Sequence, residues 1–101
     1  MKRTLILVRA WEGGTSRDFE VTGQNAKALL ALVAAGPRGI TSLECGTWAF
    51  RLAAYCHILR HDYGLAVRTE REEHPGGWHG RHVLETPVEI LAVETDTEAA
   101  A

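Results

Sequence analysis

The segment that most constrains the fold runs from Thr47 to Gly64, TWAFRLAAYCHILRHDYG. On a helix, at about 100° per residue, its large apolar side chains fall within about one third of the circumference. These side chains are Trp48, Leu52, Tyr55, Cys56, Leu59 and Tyr63. Such a stripe is typical of a helix packed against a core, so we predict one helix that begins after Thr47 as N-cap and ends at Gly64.

The opposite face of this predicted helix has a different composition. It carries Phe50, Ala54, His57 and His61, with Arg51 and Arg60 at its margins. Only Asp62 is acidic in the segment. A face that mixes small, aromatic and basic side chains is suited to the major groove of DNA, although it would equally suit a solvated helix. The segments on either side of the helix bear on the choice.

Two further helices are predicted before it. Thr22 is a plausible N-cap for the first, whose buried stripe would be Ala26, Leu29, Leu30, Val33 and Ala34. Gly36 and Pro37 end that helix, and Ile40 is placed to form a short β-bridge. Thr41 precedes a second, short helix from Ser42 to Cys45, with Leu43 directed inward and Gly46 at its end. Three helices with such short connections form a helix-turn-helix plan.

After Gly64 the apolar pattern changes to a period of two. Leu65, Val67 and Thr69 alternate with polar or small residues, which predicts a strand. Residues 73–80, EHPGGWHG, predict a flexible loop with a basic tip, and residues 81–86 return as a second strand. A β-hairpin of this kind after a helix-turn-helix is the wing of a winged helix. Residues 88–93 predict one more strand.

The amino-terminal residues predict an additional β-hairpin. Residues 4–10 and 18–21 are strand-like, and the turn-rich link between them, which contains Gly13 and Gly14, predicts a long loop. Trp11 is expected to pack on the core rather than to bind a ligand. We therefore predict an α+β fold, with one winged-helix domain over residues 1–93 that comprises the hairpin (1–21), three helices (22–64) and the wing with a final strand (65–93). Residues 94–101 are expected to form a flexible acidic tail.

Composition restricts the compartment and the partners. The chain has 101 residues, which suits a single domain, and its two cysteines do not suggest a disulfide framework. The apolar run at residues 5–8 is too short for a signal peptide or a membrane span, so a cytoplasmic protein is expected. The net charge is −2, yet residues 1–82 hold 11 basic and 8 acidic residues, because the last 19 residues contain five acidic ones and no Lys or Arg. This polarity permits nucleic-acid binding without requiring it.

Metal-binding and catalytic patterns are weak. His57 and His61 have the i, i+4 spacing of two ligands on one helix face, but the paired cysteines of a structural zinc site are missing from the sequence. Glu70, Glu72 and Glu73 resemble a solvated strand end rather than a carboxylate pair in an apolar site. We expect no metal, no cofactor and no enzymatic activity.

The chain also resembles a known family. Residues 21–26 (VTGQNA), 35–41 (AGPRGIT), 51–60 (RLAAYCHILR) and 72–84 (EEHPGGWHGRHVL) match, in order, motifs of the small winged-helix domain proteins found in bacterial phages and prophages. The sequence departs from the family at Leu52, where an aromatic residue is usual. The resemblance implies a winged helix-turn-helix that binds DNA, and it does not define a regulatory role.

These observations predict sequence-specific binding of double-stranded DNA by a small phage-type transcriptional regulator. The long helix would contact base edges, the wing would contact the phosphate backbone or the minor groove, and the start of the short helix would meet a phosphate. The predicted DNA-binding residues are Thr41, Ser42, Phe50, Arg51, Ala54, His57, Arg60, His61, Arg71, His74, Trp78, His79 and Arg81. A protein-interaction module on the same scaffold is the alternative function, and the sequence leaves a homodimer open.

Overall fold

The structure, a computed structural model, describes residues 2–97. Its elements in chain order are β1 (Lys2–Glu12), β2 (Thr15–Thr22), α1 (Gly23–Ala35), α2 (Ser42–Cys45), α3 (Leu52–His61), β3 (Val67–His74), β4 (Gly77–Leu84) and β5 (Val88–Thr97). The strands form an antiparallel sheet in the order β2-β1-β5 and a separate β3-β4 hairpin. Within these residues, none of the helices has the length and apolar content that a membrane span requires.

The amino-terminal hairpin has a tight turn instead of the predicted long loop. β1 and β2 stay paired as far as Glu12 and Thr15, so only Gly13 and Gly14 connect them. Both glycines have positive φ, 56° and 84°, which is the conformation of a two-residue turn that matches the twist of the strands. The glycine pair therefore permits the strands to extend into residues that we expected in the loop.

The carboxyl-terminal strand completes the sheet. β5 pairs with β1, and a bulge between Leu7 and Val8 leaves Leu91 as the additional residue. The prediction of a tail from residue 94 is wrong for residues 94–97, because Glu94 pairs with Leu5 and the pairing continues to Thr97. Backbone pairing to the central strand holds a segment that composition alone suggested was mobile. Residues 98–101 of the predicted tail lie outside the described residues.

α1 covers the inner face of this sheet, where Ile6, Val8 and Val21 are fully buried. Thr22 is its N-cap residue, as predicted, although its side chain makes no capping hydrogen bond. The buried residues of the helix are Ala26, Ala28, Leu29 and Leu32. The predicted stripe was therefore partly wrong, since Leu30 and Val33 are half-buried and Ala34 is exposed. Because α1 carries apolar residues on most sides of the helix, the sequence did not specify which of them face the core.

The region before α3 is less regular than predicted. A 3-10 turn at Thr47–Ala49, closed by a hydrogen bond from the Ala49 amide to the Gly46 carbonyl (3.1 Å), replaces the first turn of the expected helix. Arg51, with φ −109° and ψ 34°, is the N-cap residue of α3, so the helix has 10 residues. Burial of Ala49 anchors the irregular turn to the core and separates it from the helix.

The core-facing stripe of α3 is confirmed. Leu52, Cys56 and Leu59 are buried, and Trp48, Tyr55 and Tyr63 are half-buried against the same core. In contrast, Leu43 of α2 was expected to point inward and is 72% exposed. A one-turn helix has no repeated apolar stripe to orient it, and in α2 the side that packs on the core carries Cys45.

The wing is a tight hairpin, and the predicted loop at residues 73–80 is wrong. β3 and β4 stay paired from Val67 and Leu84 to His74 and Gly77, so Pro75 and Gly76 alone form the turn. The two strands are therefore each longer toward the tip than the composition of the segment indicated. A hairpin that is paired up to a two-residue turn takes the place of the predicted flexible loop.

A short backbone bridge attaches this hairpin to the helices. The predicted bridge at Ile40 is confirmed. The Ile40 amide donates to the His82 carbonyl at 2.9 Å, and the His82 amide donates to the Ile40 carbonyl at 2.8 Å. Gly39 has a φ of 71°, and a Cβ at this position would lie 2.6 Å from the His82 carbonyl oxygen. Glycine is thus required by both the backbone conformation and the close approach of β4.

We predict that Leu59→Ala lowers the free energy of unfolding by about 2–5 kcal/mol, because it removes a fully buried side chain and leaves a cavity. Leu43→Ala is the matched control and should change stability by less than about 0.5 kcal/mol, since Leu43 is exposed. Urea denaturation followed by circular dichroism measures both values. Equal losses in the two variants would contradict the assignment of the core face of α3.

Candidate nucleic-acid interface

The outer surface of α3 and the turn before it carries most of the predicted base-contacting residues. Phe50 is 89% exposed, and Arg51, His57 and His61 are also exposed, while Ala54 is half-buried. The rings of His57 and His61 lie against each other, with centroids 4.1 Å apart. Within residues 2–97, Arg51 has no carboxylate within ion-pair distance. This surface therefore presents an aromatic ring, an unpaired guanidinium and two imidazoles.

The two histidines do not belong to a larger metal-ligand group among the described residues. Nowhere in residues 2–97 do three or more His, Cys, Asp or Glu side chains come together in a way that could hold a metal ion. Cys56, next to His57 in sequence, is buried, and burial raises the pKa of its thiol to about 11. A thiol with so high a pKa is largely protonated at neutral pH and behaves as part of the apolar core.

Arg60 is partly engaged in the fold. Its side chain is half-buried, and one guanidinium nitrogen donates a hydrogen bond to the Val67 carbonyl at 3.0 Å. This bond ties the last turn of α3 to the first residue of β3. From the sequence we expected Arg60 beside phosphates. Helical periodicity does not predict where the backbone of β3 lies, so it could not indicate the contact with the Val67 carbonyl.

Thr41 is not available in the way we expected. It is buried, and it forms a capping box with Glu44 in which the Thr41 amide donates to the Glu44 carboxylate at 3.0 Å. The predicted contact between this amide and a phosphate is therefore wrong, since the amide already has an acceptor. Ser42, the first residue of α2, is half-buried. The Thr-x-x-Glu spacing at residues 41–44 is the sequence signal that could have indicated the capping box.

Arg81 is the largest departure from expectation. Its side chain is only 20% exposed and contacts the carboxylates of Glu72 on β3 and Glu44 on α2, the latter at 3.2 Å. It also donates to the carbonyls of Arg38 (3.3 Å) and Gly39 (3.4 Å). The prediction of an exposed wing arginine that contacts phosphate is therefore wrong, because four acceptors within the fold surround the guanidinium.

This network shifts the titration of its carboxylates. The hydrogen bonds from Arg81 and then from His79, whose Nε2 lies 2.9 Å from Glu72, lower the pKa of Glu72 to about 2. The pKa of Glu44 is lowered mainly by Arg81 and then by the Thr41 amide. Both carboxylates are therefore ionised at neutral pH. His79 faces Glu72 rather than being free for DNA.

The tip of the wing is exposed and aromatic. Trp78 is 56% exposed, and the Arg71 guanidinium lies 4.7 Å from the centroid of its indole ring. His74 is exposed and stacks on His79 at a centroid distance of 5.0 Å. An arginine held over an indole ring is a cation–π contact that keeps both groups presented to solvent. Of the wing residues predicted from sequence, Arg71, His74 and Trp78 are thus accessible.

The wing as a whole is balanced in charge. β3 and β4 contain three arginines and three glutamates. Arg68 contacts Glu85 (2.8 Å) and Glu70 (3.7 Å), and Arg71 lies 3.6 Å from Glu73. The expectation of a basic tip is therefore wrong, because each of these arginines has a glutamate neighbour. The histidine and tryptophan side chains, rather than net positive charge, distinguish this surface.

Three helices followed by a β-hairpin that packs beside the last helix define the winged helix-turn-helix class. A family model described as a winged helix domain matches residues 18–94, and the chain belongs to that family. All of β1 and the first three residues of β2 precede the matched segment. No curated protein and no solved structure matches the chain.

We predict that Arg81→Ala lowers the melting temperature, because it leaves Glu44 and Glu72 without their shared partner and releases the wing from α2. Arg71→Ala is the matched control, since Arg71 is exposed and contacts only neighbours within the wing. Differential scanning calorimetry measures both changes, and amide hydrogen exchange at Ile40 and His82 should accelerate only in the Arg81 variant. Equal melting temperatures would show that the network adds nothing to the attachment of the wing.

A second prediction concerns acid sensitivity. His82 is buried on β4 and bonds to the Thr69 hydroxyl (2.8 Å), and its pKa is lowered from 6.5, mainly by burial and then by Arg60. Below pH 6.5 the unfolded chain therefore binds a proton at this histidine more readily than the folded chain does, so stability should fall as the pH decreases from about 7 to 5. Because the pKa of Glu72 is lowered in the folded chain, protonation of this carboxylate reduces the stability further only below about pH 4.5, the ordinary pKa of a glutamate.

Urea midpoints at pH 7, 6 and 5 test this assignment. The His82→Asn variant keeps an amide near Thr69 and should show a smaller decrease over this range. His57→Asn, at an exposed position, should retain the dependence of the unmodified chain. A midpoint that is constant between pH 7 and 5 in the unmodified chain would rule out a buried neutral histidine.

Proposed function

We propose that the chain binds double-stranded DNA with sequence preference and acts as a small transcriptional regulator of the phage or prophage type. Membership in the winged helix domain family supports DNA binding in general. The observation that carries the proposal is the surface of α3 and of the turn before it, which exposes Phe50, Arg51 and His57 and has no acidic residue between Thr47 and His61. We propose binding rather than catalysis, because these side chains are suited to contacts with a groove.

The first residues of α3 would determine sequence preference. Recognition helices contact base edges with their amino-terminal residues, and Arg51 is the N-cap residue of this helix. A free guanidinium can donate two hydrogen bonds to the O6 and N7 atoms of guanine. Phe50 and the methyl group of Ala54 would contact thymine methyl groups, and His57 would reach the next base pair. His61, near the end of the helix, would lie beside a phosphate.

The wing and α2 would fix the orientation on the duplex. Arg71, His74 and Trp78 are the accessible groups at the wing tip and would contact the backbone or the minor groove. Ser42 would approach a phosphate from the start of α2. Arg81 would act indirectly, by holding the hairpin against α2 through Glu44, and His79 would act by bonding to Glu72 within the hairpin.

The salt dependence of DNA binding tests this proposal. Each neutralised phosphate adds about 0.9 to the magnitude of the slope of log affinity against log salt, so phosphate contacts by Arg71 and by His61 or Arg60 predict a slope of about −2. Fluorescence anisotropy with a random duplex at low and moderate salt measures the slope, and selection from a randomised duplex pool then identifies a preferred site. Failure to bind any duplex at low salt would overturn the proposal.

Single substitutions in the same assay separate the two contact surfaces. Arg51→Ala should cost about 1–3 kcal/mol on the preferred site and reduce sequence preference, whereas Arg71→Ala should weaken all duplexes by a similar factor. Arg9→Ala, which removes the same charge from β1, should leave binding unchanged. Arg51→Ala should also retain the melting temperature of the unmodified chain, since a decrease as large as that of Leu59→Ala would mean that Arg51 has a structural role.

One observation favours a second candidate function, the docking of a protein on this surface. Phe50 and Leu43 are large apolar side chains that are mostly exposed on either side of Gly46, and the adjacent wing has no excess positive charge. Exposed apolar side chains of this size often mark protein-binding surfaces. This alternative predicts no duplex binding at low salt, together with a normal melting temperature.

A further inference from the structure

The outer face of the β2-β1-β5 sheet is the feature that the proposed DNA-binding surface does not explain. Side chains alternate along β1, so the buried Ile6 and Val8 face α1, while Leu5 and Leu7 lie on the opposite side. Leu5 and Leu7 are half-buried, and Trp11 is exposed further along the same face. The central strand thus presents a row of apolar side chains away from the core.

An open groove runs over this row. Leu5, Leu7 and Ala92 form its apolar part, and the carboxylate side chains of Glu20 and Glu94 form its sides. The strand register explains the arrangement, because Leu7 pairs with Glu20 on one side and with Ala92 on the other, and Leu5 pairs with Glu94. Glu20, Ala92 and Glu94 are exposed, so solvent reaches the groove.

The charged side chains around the groove are mainly acidic. The described residues of this face with charged side chains are Arg9, Asp18, Glu20, Glu89 and Glu94. Arg9 is bound to Asp18 by two hydrogen bonds of 2.8 and 3.0 Å. Within residues 4–95, Glu20, Glu89 and Glu94 have no basic side chain within ion-pair distance.

The sign of these charges restricts what can cover the face. A phosphate backbone or an anionic membrane would be repelled by the carboxylates of Glu20, Glu89 and Glu94. A second copy of the chain in a symmetric arrangement would place Glu20 and Glu94 near their own counterparts. A segment that combines apolar side chains with lysine or arginine would instead fill the groove and pair with its carboxylates.

We propose that the outer face of the β2-β1-β5 sheet binds a basic, amphipathic segment of a partner protein, with Leu5 and Leu7 as the apolar contacts and Glu20, Glu89 and Glu94 as the ionic ones. Leu5, Leu7 and Trp11 precede the part of the chain that matches the winged helix domain, whereas Glu20, Glu89 and Glu94 lie within it. The proposal does not depend on DNA binding, because it uses different residues on a different sheet.

Titration of the isotopically labelled full chain with a synthetic peptide tests the proposal by NMR. The probe is an amphipathic peptide of 16 residues made of leucine and lysine, and its control replaces every lysine with glutamate. The lysine peptide should shift the amide signals of Leu5, Leu7 and Ala92 in a saturable manner at moderate salt. The glutamate peptide should leave them unchanged.

Two matched double variants determine whether this face, rather than overall charge, is responsible. Glu20→Gln with Glu94→Gln should weaken peptide binding by roughly fivefold. The double variant removes two exposed ion pairs with the peptide, and each pair contributes modestly to affinity. Glu70→Gln with Glu73→Gln removes the same charge from the wing and should have no effect. Equal weakening by both pairs, or shifts that map to another surface, would overturn the proposal. A concentration-dependent dimer in sedimentation experiments that protects Leu5 and Leu7 would also overturn it, in favour of a second copy.

Discussion

The guanidinium of Arg81 joins the parts of the molecule that a winged helix must hold in one orientation. It contacts α2 through Glu44, β3 through Glu72 and the connecting segment through the carbonyls of Arg38 and Gly39. The backbone bridge between Ile40 and His82 lies directly beside it. Since α3 is itself held to β3 through Arg60, two internal arginine contacts and this backbone bridge attach the wing to the helices.

These contacts change which residues are free to act. Arg60 and Arg81 belong partly or wholly to the fold, so the positive charge available for DNA comes mainly from Arg51 and Arg71. Aromatic and imidazole side chains make up much of the remaining surface of α3 and of the wing tip. The carboxylates of Glu20, Glu89 and Glu94 lie elsewhere, on the outer face of the β2-β1-β5 sheet. One small domain thus has two surfaces of different chemistry, which suit different partners.

The sequence by itself determined the elements that depend on local pattern. The stripe of Leu52, Cys56 and Leu59 identified the core face of α3, because helical periodicity places these side chains together whatever they pack against. Ser42–Cys45 and the bridge at Ile40 were likewise predicted, since glycine and proline delimit both. The winged-helix class followed from the order of these elements, and the family match supports it.

Only the tertiary structure decided the roles of side chains whose partners are distant in sequence. Arg81 and Glu44 are 37 residues apart, and no periodicity relates them, so an arginine that was expected to be exposed is enclosed. The strand ends were also decided by pairing: β5 extends to Thr97 because β1 lies beside it, and composition alone suggested a tail. Strand pairing also determined the outer face of the β2-β1-β5 sheet, since Glu20 and Glu94 become neighbours of Leu5 and Leu7 only when β1 lies between β2 and β5. Periodicity describes one segment at a time, whereas the contacts that define both surfaces depend on register between segments.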